Sequence, residues 1–263
     1  SAGPPVTTGK LSTQESFGRI LTRLGDVAGL AERIVTTAPD VSISTNLGGW
    51  INKTGVFWPT ERDDHGGAER LLRWAPSPTG QHIELGISEM NLFMLLGQLG
   101  LSHEHHGQHL LPIGTVYDPF VCRGLDALIY DLYNKAKMIV VGTPSGITLS
   151  PEGGAHQSTI TPSIGIELPS LLFYEPAFGR EVECGAQIGV DLADRLARDV
   201  MGDDEDGERG IYYVGRSEDQ PDGLAGAHGW NDVEREGGRA AQPRRRSGRG
   251  AGDICEGRAG QRI

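Results

Sequence analysis

Gly80-Gln81-His82-Ile83-Glu84-Leu85-Gly86-Ile87-Ser88-Glu89-Met90-Asn91-Leu92-Phe93 sets a carboxylate at the mouth of the most apolar segment of the chain. The run goes on through Met94, Leu95, Leu96, Leu99 and Leu101, and it predicts a buried helix over about residues 86–101. An ionised carboxylate in apolar surroundings is costly, and such a group usually takes a proton instead. A protonated glutamic acid donates a hydrogen bond at neutral pH, a chemistry few other sites in a protein offer. The bland alternative is an N-terminal glutamate that complements the helix dipole.

Working outward, Ser12-Thr13-Gln14-Glu15 has the form of a capping box, and Phe17, Ile20, Leu21 and Leu24 follow at helical spacing. A short helix at about residues 29–37 is expected to lead into a strand at Val41-Ser42-Ile43-Ser44. Residues 48–80 show no clear period and are expected to form a long loop. Beyond the buried helix the rhythm becomes regular. Leu110 to Val116 predicts a strand, and Asp118-Pro119 opens a helix, with Asp118 as N-cap and Leu125, Leu128, Ile129 and Leu132 on one face. Met138-Ile139-Val140-Val141 predicts a strand covered on both faces. Leu171 to Tyr174 predicts another strand, about residues 176–200 a long helix, and Ile211 to Val214 the last strand. This alternation predicts an α/β fold: a doubly wound, mostly parallel sheet with helices on both faces.

The chain has 263 residues with 37% hydrophobic side chains, as suits a globular protein, and 39 glycines, which is many. Three segments are expected: a linker over 1–11, an α/β domain over 12–221, and an Arg/Gly-rich tail over 222–263. The net charge of −11 argues against a nucleic-acid partner. From Asp222 on, eight arginines outnumber six acidic residues by two, which leaves −13 on the preceding 221 residues. The tail, with Arg244-Arg245-Arg246-Ser247-Gly248-Arg249-Gly250 as its extreme, buries too little to offset chain entropy. It reads as a basic nucleic-acid-binding tail, a plain solvated tail or, as we favour, out-of-frame sequence from a GC-rich gene. Cys122, Cys184 and Cys255 are isolated, and they predict reduced thiols in a cytoplasmic protein rather than a metal site. No run reaches the ~18 apolar residues of a membrane span. Ser1 to Pro5 lacks the features of a signal peptide and reads as a linker inside a longer polypeptide.

Glycine, a hydrophobe, any residue, then glutamate, as in Gly86-Ile87-Ser88-Glu89, resembles the pyrimidine-side signature of thiamine diphosphate enzymes. The resemblance is strongest to the decarboxylating component of pyruvate dehydrogenase in its homodimeric, transketolase-like form. It is carried by Ile34 to Asp40, by Ser44 to Trp50, by Tyr117-Asp118-Pro119-Phe120 with Arg123 and Asp126, and by Pro151-Glu152-Gly153-Gly154-Ala155-His156-Gln157-Ser158. It covers roughly residues 12–216.

The resemblance implies the pyrimidine-binding domain of the thiamine diphosphate-binding fold. It implies that Glu89 bonds a ring nitrogen of the aminopyrimidine and favours its imino tautomer. Phe120 stacks on that ring, with Tyr117 and Ile87 beside it, and His156 faces the substrate to orient it or move protons. For each of these a plainer reading stands: a core aromatic, a loop histidine, and for Arg123 and Asp126 an ion pair at i,i+3. Thr143, Ser145 and Glu152 are neighbours of His156 in the same loop, and His82 and Glu84 lead into Glu89. The Gly-Asp-Gly motif that holds the diphosphate through magnesium is not found, so magnesium is expected on a separate diphosphate-binding domain. The implied partners are pyruvate or another 2-oxo acid, that second domain, a second copy in a homodimer, and the acyltransferase component of a multienzyme complex. Alone, the chain is expected neither to hold the cofactor tightly nor to turn over. A transketolase-like ketol transferase and a non-catalytic domain that keeps only the fold are the rival readings. His103, His105, His106 and His109 do not match a zinc spacing and are read as a polar loop.

Overall fold

The computed structural model describes residues 11–60, 76–143, 156, 160–168, 170–183 and 210–214. Helix α1 (Thr13–Leu24) starts where expected, because the Ser12 hydroxyl accepts the Glu15 N–H at 3.0 Å. Phe17, Ile20 and Leu21 are its buried stripe, and the Glu15 carboxylate meets Arg19 one turn on. The next segment overturns two expectations. Residues 34–38 form a strand, β1 (Ile34–Ala38), after a 3-10 turn at Ala31–Arg33, where a helix was expected. The run Ile34-Val35-Thr36-Thr37 is β-branched throughout, and stiff β-branched side chains favour the pleated surface over the helix. Val41 to Ser44, expected as a strand, is a turn. The Ser44 and Thr45 hydroxyls bond back to the Val41 carbonyl, and Asp40 and Asn46 adopt left-handed φ of 64° and 61° on either side.

Residues 48–80 are more ordered than expected where described, with α2 (Gly48–Thr54) and the short strands β2 (Val56–Phe57) and β3 (Pro76–Ser77). Strand β4 (His82–Glu84) leads into α3 (Glu89–Gly100), three residues shorter at its start than predicted, and then α4 (Ser102–His106). Strand β5 (Leu111–Val116) matches its expectation. Asp118–Gly124 is a 3-10 turn with Tyr117, not Asp118, as N-cap, and it precedes α5 (Leu125–Tyr133). Strand β6 (Met138–Gly142), α6 (Thr161–Glu167), β7 (Leu171–Tyr174) and β8 (Gly210–Val214) complete the described elements. Residues 179–183 are helical, residues 176–178 before them are not, and 184–200 of the long helix expected at 176–200 lie outside the described residues. So do the linker 1–10 and the tail 222–263.

The strands form one sheet in the order β3-β2-β4-β1-β5-β6-β8-β7, and every pairing among them is parallel. Buried side chains alternate between its two faces. Ile139 and Val141 join Phe17, Ile20, Leu21, Trp50 and Ile51 on one face. Met138 and Val140 join Leu92, Phe93, Leu96, Leu128 and Leu132 on the other. The doubly wound architecture with helices on both faces is thus as expected. Gly114 lets α3 lie close on β5, since a Cβ there would sit 2.5 Å from Leu96 Cδ1. The chain runs from β4, on one side of β1, through α3 to β5 on the other, so the winding direction reverses around β1. A crevice outside the carboxyl ends of the strands is expected at such a point.

One buried group is under strain. Asp131 on α5 is 8% exposed, lies against Gly97 of α3, and its Oδ2 has no partner among the described residues. Burial pushes its carboxyl up to about 7. The folded state therefore keeps a proton that the unfolded chain releases near the ordinary Asp value. The stabilising effect is full below that value and is lost as pH rises through about 7. Thermal melts of wild type and Asp131→Asn will show the variant gaining on wild type as pH rises from about 5 to about 8; a pH-independent gap would mean that Asp131 does not titrate in this window.

Candidate functional site

The residues singled out in the sequence come from separate carboxyl-edge segments. Glu89 opens α3 after β4, Tyr117 and Phe120 follow β5, and His156 comes after β6 in the chain. Three of the five meet as a ring cluster, and Glu89 is linked to it through Arg123. The Tyr117 and Phe120 rings lie 6.0 Å apart and nearly parallel. His156 sets its edge to Phe120 at 5.1 Å and to Tyr117 at 6.4 Å. Its Nδ1 is buried with no partner among the described residues, an orphan that a ligand could satisfy. Ile87 stands apart, 78% exposed on the loop before α3.

Glu89 is 7% exposed, yet it does not sit in a purely apolar pocket. Arg123 Nη1 donates to its Oε1 at 2.7 Å. An i,i+3 ion pair with Asp126 was the plainer reading of Arg123; it reaches across to α3, with its guanidinium 3.7 Å from the centre of the Phe120 ring. A buried carboxylate is tolerated when a cation answers it. Gly124 allows this approach, because a Cβ there would collide with the Phe93 ring and crowd the Glu89 carbonyl at 2.9 Å. The sequence singled out Arg123 only as part of the segment from Tyr117 to Asp126, without its partner Glu89.

A polar scaffold behind Tyr117 was not legible in the sequence. The Tyr117 hydroxyl donates to Ser44 Oγ at 2.9 Å. The Gln14 amide donates to the Ser44 carbonyl and accepts from the Thr143 hydroxyl at 2.9 Å. The Thr143 N–H donates to the Val116 carbonyl at 2.8 Å. Gln14 is nearly buried and Thr143 fully so, and together they tie α1, the loop after β1 and the ends of β5 and β6. Thr45 and Thr115 hydroxyls bond at 2.9 Å and close the same loop.

His82 and Glu84, which lead into Glu89, bond to each other and to β1 and the loop after it. His82 is fully buried, with Nδ1 bonded to Thr36 Oγ1 at 2.9 Å and Nε2 to Glu84 Oε2 at 3.2 Å. Glu84 Oε1 accepts the Asp40 N–H at 2.7 Å. Burial pushes the Glu84 carboxyl up, but the hydrogen bond and charge of His82, the Asp40 N–H and Ser42 outweigh it and hold it below the usual value. Ser145 and Glu152 lie outside the described residues. The histidine run is not a loop: His103, His105 and His106 lie on α4, and His103 stacks on His109 at 5.0 Å. Burial, then nearby cations, push both imidazoles down. Among the described residues no group of three metal-ligating side chains is assembled.

No protein-family model matches the chain. It is 26% identical over 192 residues to the pyruvate dehydrogenase E1 component of Corynebacterium glutamicum, covering 71% of this chain and 20% of that protein. For the E1 component of Cupriavidus necator the identity is 25% over 189 residues, covering 69% and 21%. The chain thus spans about a fifth of the length of the curated relatives it matches. Among solved structures, transketolase from Campylobacter jejuni superposes with a TM-score of 0.61 at 18% identity, over 82% of this chain and 27% of that one. Transketolase from Leishmania mexicana gives 0.60 at 15%, over 81% and 26%. Among the described residues no helix is long and apolar enough to cross a membrane.

Replacing Gln14 by Leu removes one buried and one part-buried hydrogen bond and leaves the Thr143 hydroxyl without its acceptor. Chemical denaturation will register a loss on the order of 1–3 kcal/mol, whereas Tyr117→Phe, which keeps the ring, will cost less. Equal losses would deny Gln14 its central place. The resemblance first read at Glu89 holds at this level: the chain has the transketolase-type, thiamine diphosphate-binding fold and is similar in sequence to the pyruvate dehydrogenase E1 component.

Proposed function

We propose that the chain is the pyrimidine-binding part of a thiamine diphosphate-dependent pyruvate dehydrogenase, activating the coenzyme for oxidative decarboxylation of a 2-oxo acid. The observation that supports this most is the ring cluster of Tyr117, Phe120 and His156, to which Arg123 links the buried Glu89. These residues fit the aminopyrimidine half of the coenzyme. A carboxylate oxygen lies at one side for a ring nitrogen, a flat aromatic face at the other for stacking, and an orphaned imidazole nitrogen beyond. Thiamine diphosphate, when bound, supplies the electron sink for the carbanion left by departing carbon dioxide. Glu89 shares a proton with the ring nitrogen and fixes its tautomer. Phe120 orients the ring, and Tyr117, held by Ser44, walls the pocket. His156 positions the 2-oxo acid and moves protons near it. The packed flank of α3 keeps water from the carboxylate.

Magnesium and the diphosphate belong, on this reading, to a separate diphosphate-binding domain, and the product passes to the acyltransferase component of a complex. We place the protein in the cytoplasm, where the exposed free thiol of Cys122 stays reduced. Exposed Met94, Ile129, Tyr130 and Tyr133 on α3 and α5 support a homodimer. The transketolase-type fold keeps ketol transfer as the second reading.

Calorimetric titration of thiamine diphosphate into the chain combined with the diphosphate-binding domain is expected to give saturable binding. Turnover is expected with pyruvate rather than with sugar phosphates, and Glu89→Gln is expected to lower it roughly 10²-fold or more. No heat of binding would leave only the fold, and ketol transfer without decarboxylation would favour the second reading.

A further inference from the structure

Glu89 and Phe120 make a seat with a hydrogen-bond acceptor at one edge and an aromatic face at the other, and the chain already fills it. Arg123 Nη1 donates to Glu89 Oε1 at 2.7 Å, while its guanidinium carbon lies 3.7 Å from the Phe120 centroid. A guanidinium is flat and delocalised, with N–H donors along its edge. Its two contacts are those assigned above to an aminopyrimidine, and one seat holds one flat group. We propose that Arg123 is a displaceable tenant of this seat and thereby sets its specificity: a ligand enters only if it is flat and carries an edge N–H donor that takes over Glu89. The identity of the natural ligand rests on the proposed function; the seat and its tenant do not.

Two features suit Arg123 to leave without unfolding the protein. Its side chain is 52% exposed while that of Glu89 is 8%, so the open side of the seat lies with the arginine. The backbone around it is fixed, since Gly124 is pressed against Phe93 and Val121 is buried. Asp126, exposed three residues on at the start of α5, offers the departing guanidinium another carboxylate. The same geometry excludes the wrong ligand. An apolar ring that displaced Arg123 would leave Glu89 buried without a donor, and an unanswered buried charge is strongly unfavourable. A tenant that holds the seat about nine-tenths of the time weakens the apparent affinity of the right ligand about tenfold.

The test uses the whole 263-residue chain, with ring-labelled phenylalanine followed by NMR and with thermal melts. The probes are methylguanidinium, 4-amino-2,5-dimethylpyrimidine, and toluene as a flat ring without a donor. Arg123→Ala is expected to bind the aminopyrimidine about tenfold more tightly than wild type. It is also expected to bind methylguanidinium about tenfold more tightly than wild type, and to recover with it the melting temperature lost on substitution. Toluene is expected to bind neither protein. Arg123→Lys, which keeps the charge without the flat fork, serves if the alanine variant does not fold, and it too is expected to gain aminopyrimidine affinity. Weaker or unchanged aminopyrimidine binding in both variants, with no response to methylguanidinium, overturns the proposal. Recovery by methylguanidinium with no aminopyrimidine binding in any variant confirms the seat and its tenant and sinks the coenzyme reading instead.

Discussion

The close packing of α3 on bare backbone is the constraint on which the site depends. Leu92 and Leu96 press on β5 where Gly114 has no side chain, and Phe93 presses on the 3-10 turn where Gly124 has none. Both contacts lie within two turns of the helix start, so they fix the position of Glu89 at its N-terminus. The same Gly124 contact fixes the turn that carries Phe120 and Arg123. One patch of packing therefore sets the carboxylate, the aromatic face and the guanidinium relative to each other. Leu92, Phe93 and Leu96 are fully buried, and burial of each such side chain contributes about 1.5–3 kcal/mol. That is enough to hold an acidic residue where its own hydration would draw it out.

The carboxyl edge of the sheet is organised by polar groups instead. The loop after β1 begins at Asp40, whose left-handed φ is secured by the Glu84 carboxylate. Gln14 holds it at Ser44, and Thr115 at Thr45. All three clamps are side chains from other elements, so the loop is imposed on its residues by the fold. Its product is one hydrogen bond, from the Tyr117 hydroxyl to Ser44, which fixes an aromatic wall of the crevice. Asp131 Oδ2, like Trp50 Nε1 and His156 Nδ1, has no partner among the described residues, and it lies between α3 and α5, away from the loop.

What the sequence revealed and what it hid divide along physical lines. Strands β5, β6 and β7 and helix α3 were legible because burial alone decides them: their apolar runs have no other place to go. Strand β1 was misread because apolar spacing suggested a helix while β-branching, the stronger local signal, pointed to a strand. The turn at Val41–Ser44 was misread because hydroxyl back-bonding and two left-handed residues leave no mark on hydrophobic periodicity. In the site, Glu89, Phe120, Tyr117 and His156 were found through a motif, and the motif carried no information on Arg123 against Glu89 or Gln14 against Ser44. Those partners are 34 and 30 residues apart. Their pairing is a property of the parallel sheet, which brings strand ends together, and not of any local pattern.

A site closed by a second domain, as we propose for this one, faces a difficulty before closure. Its buried acid must be covered, yet the cover must yield. Water covers poorly here, because only a small part of the Glu89 side chain is exposed. A permanent salt bridge within the core would cover well but would not yield, since breaking a buried pair is strongly unfavourable. Arg123 lies between these limits. Its charged end reaches into the seat, while half of its side chain remains in solvent, where leaving requires no repacking and where competition with water weakens the hold. A lysine in its place would answer the charge but would not lie flat on Phe120, and so would hold one contact where the guanidinium holds two. On the proposal above, an arginine at this position lets one surface serve both before and after a flat ligand binds.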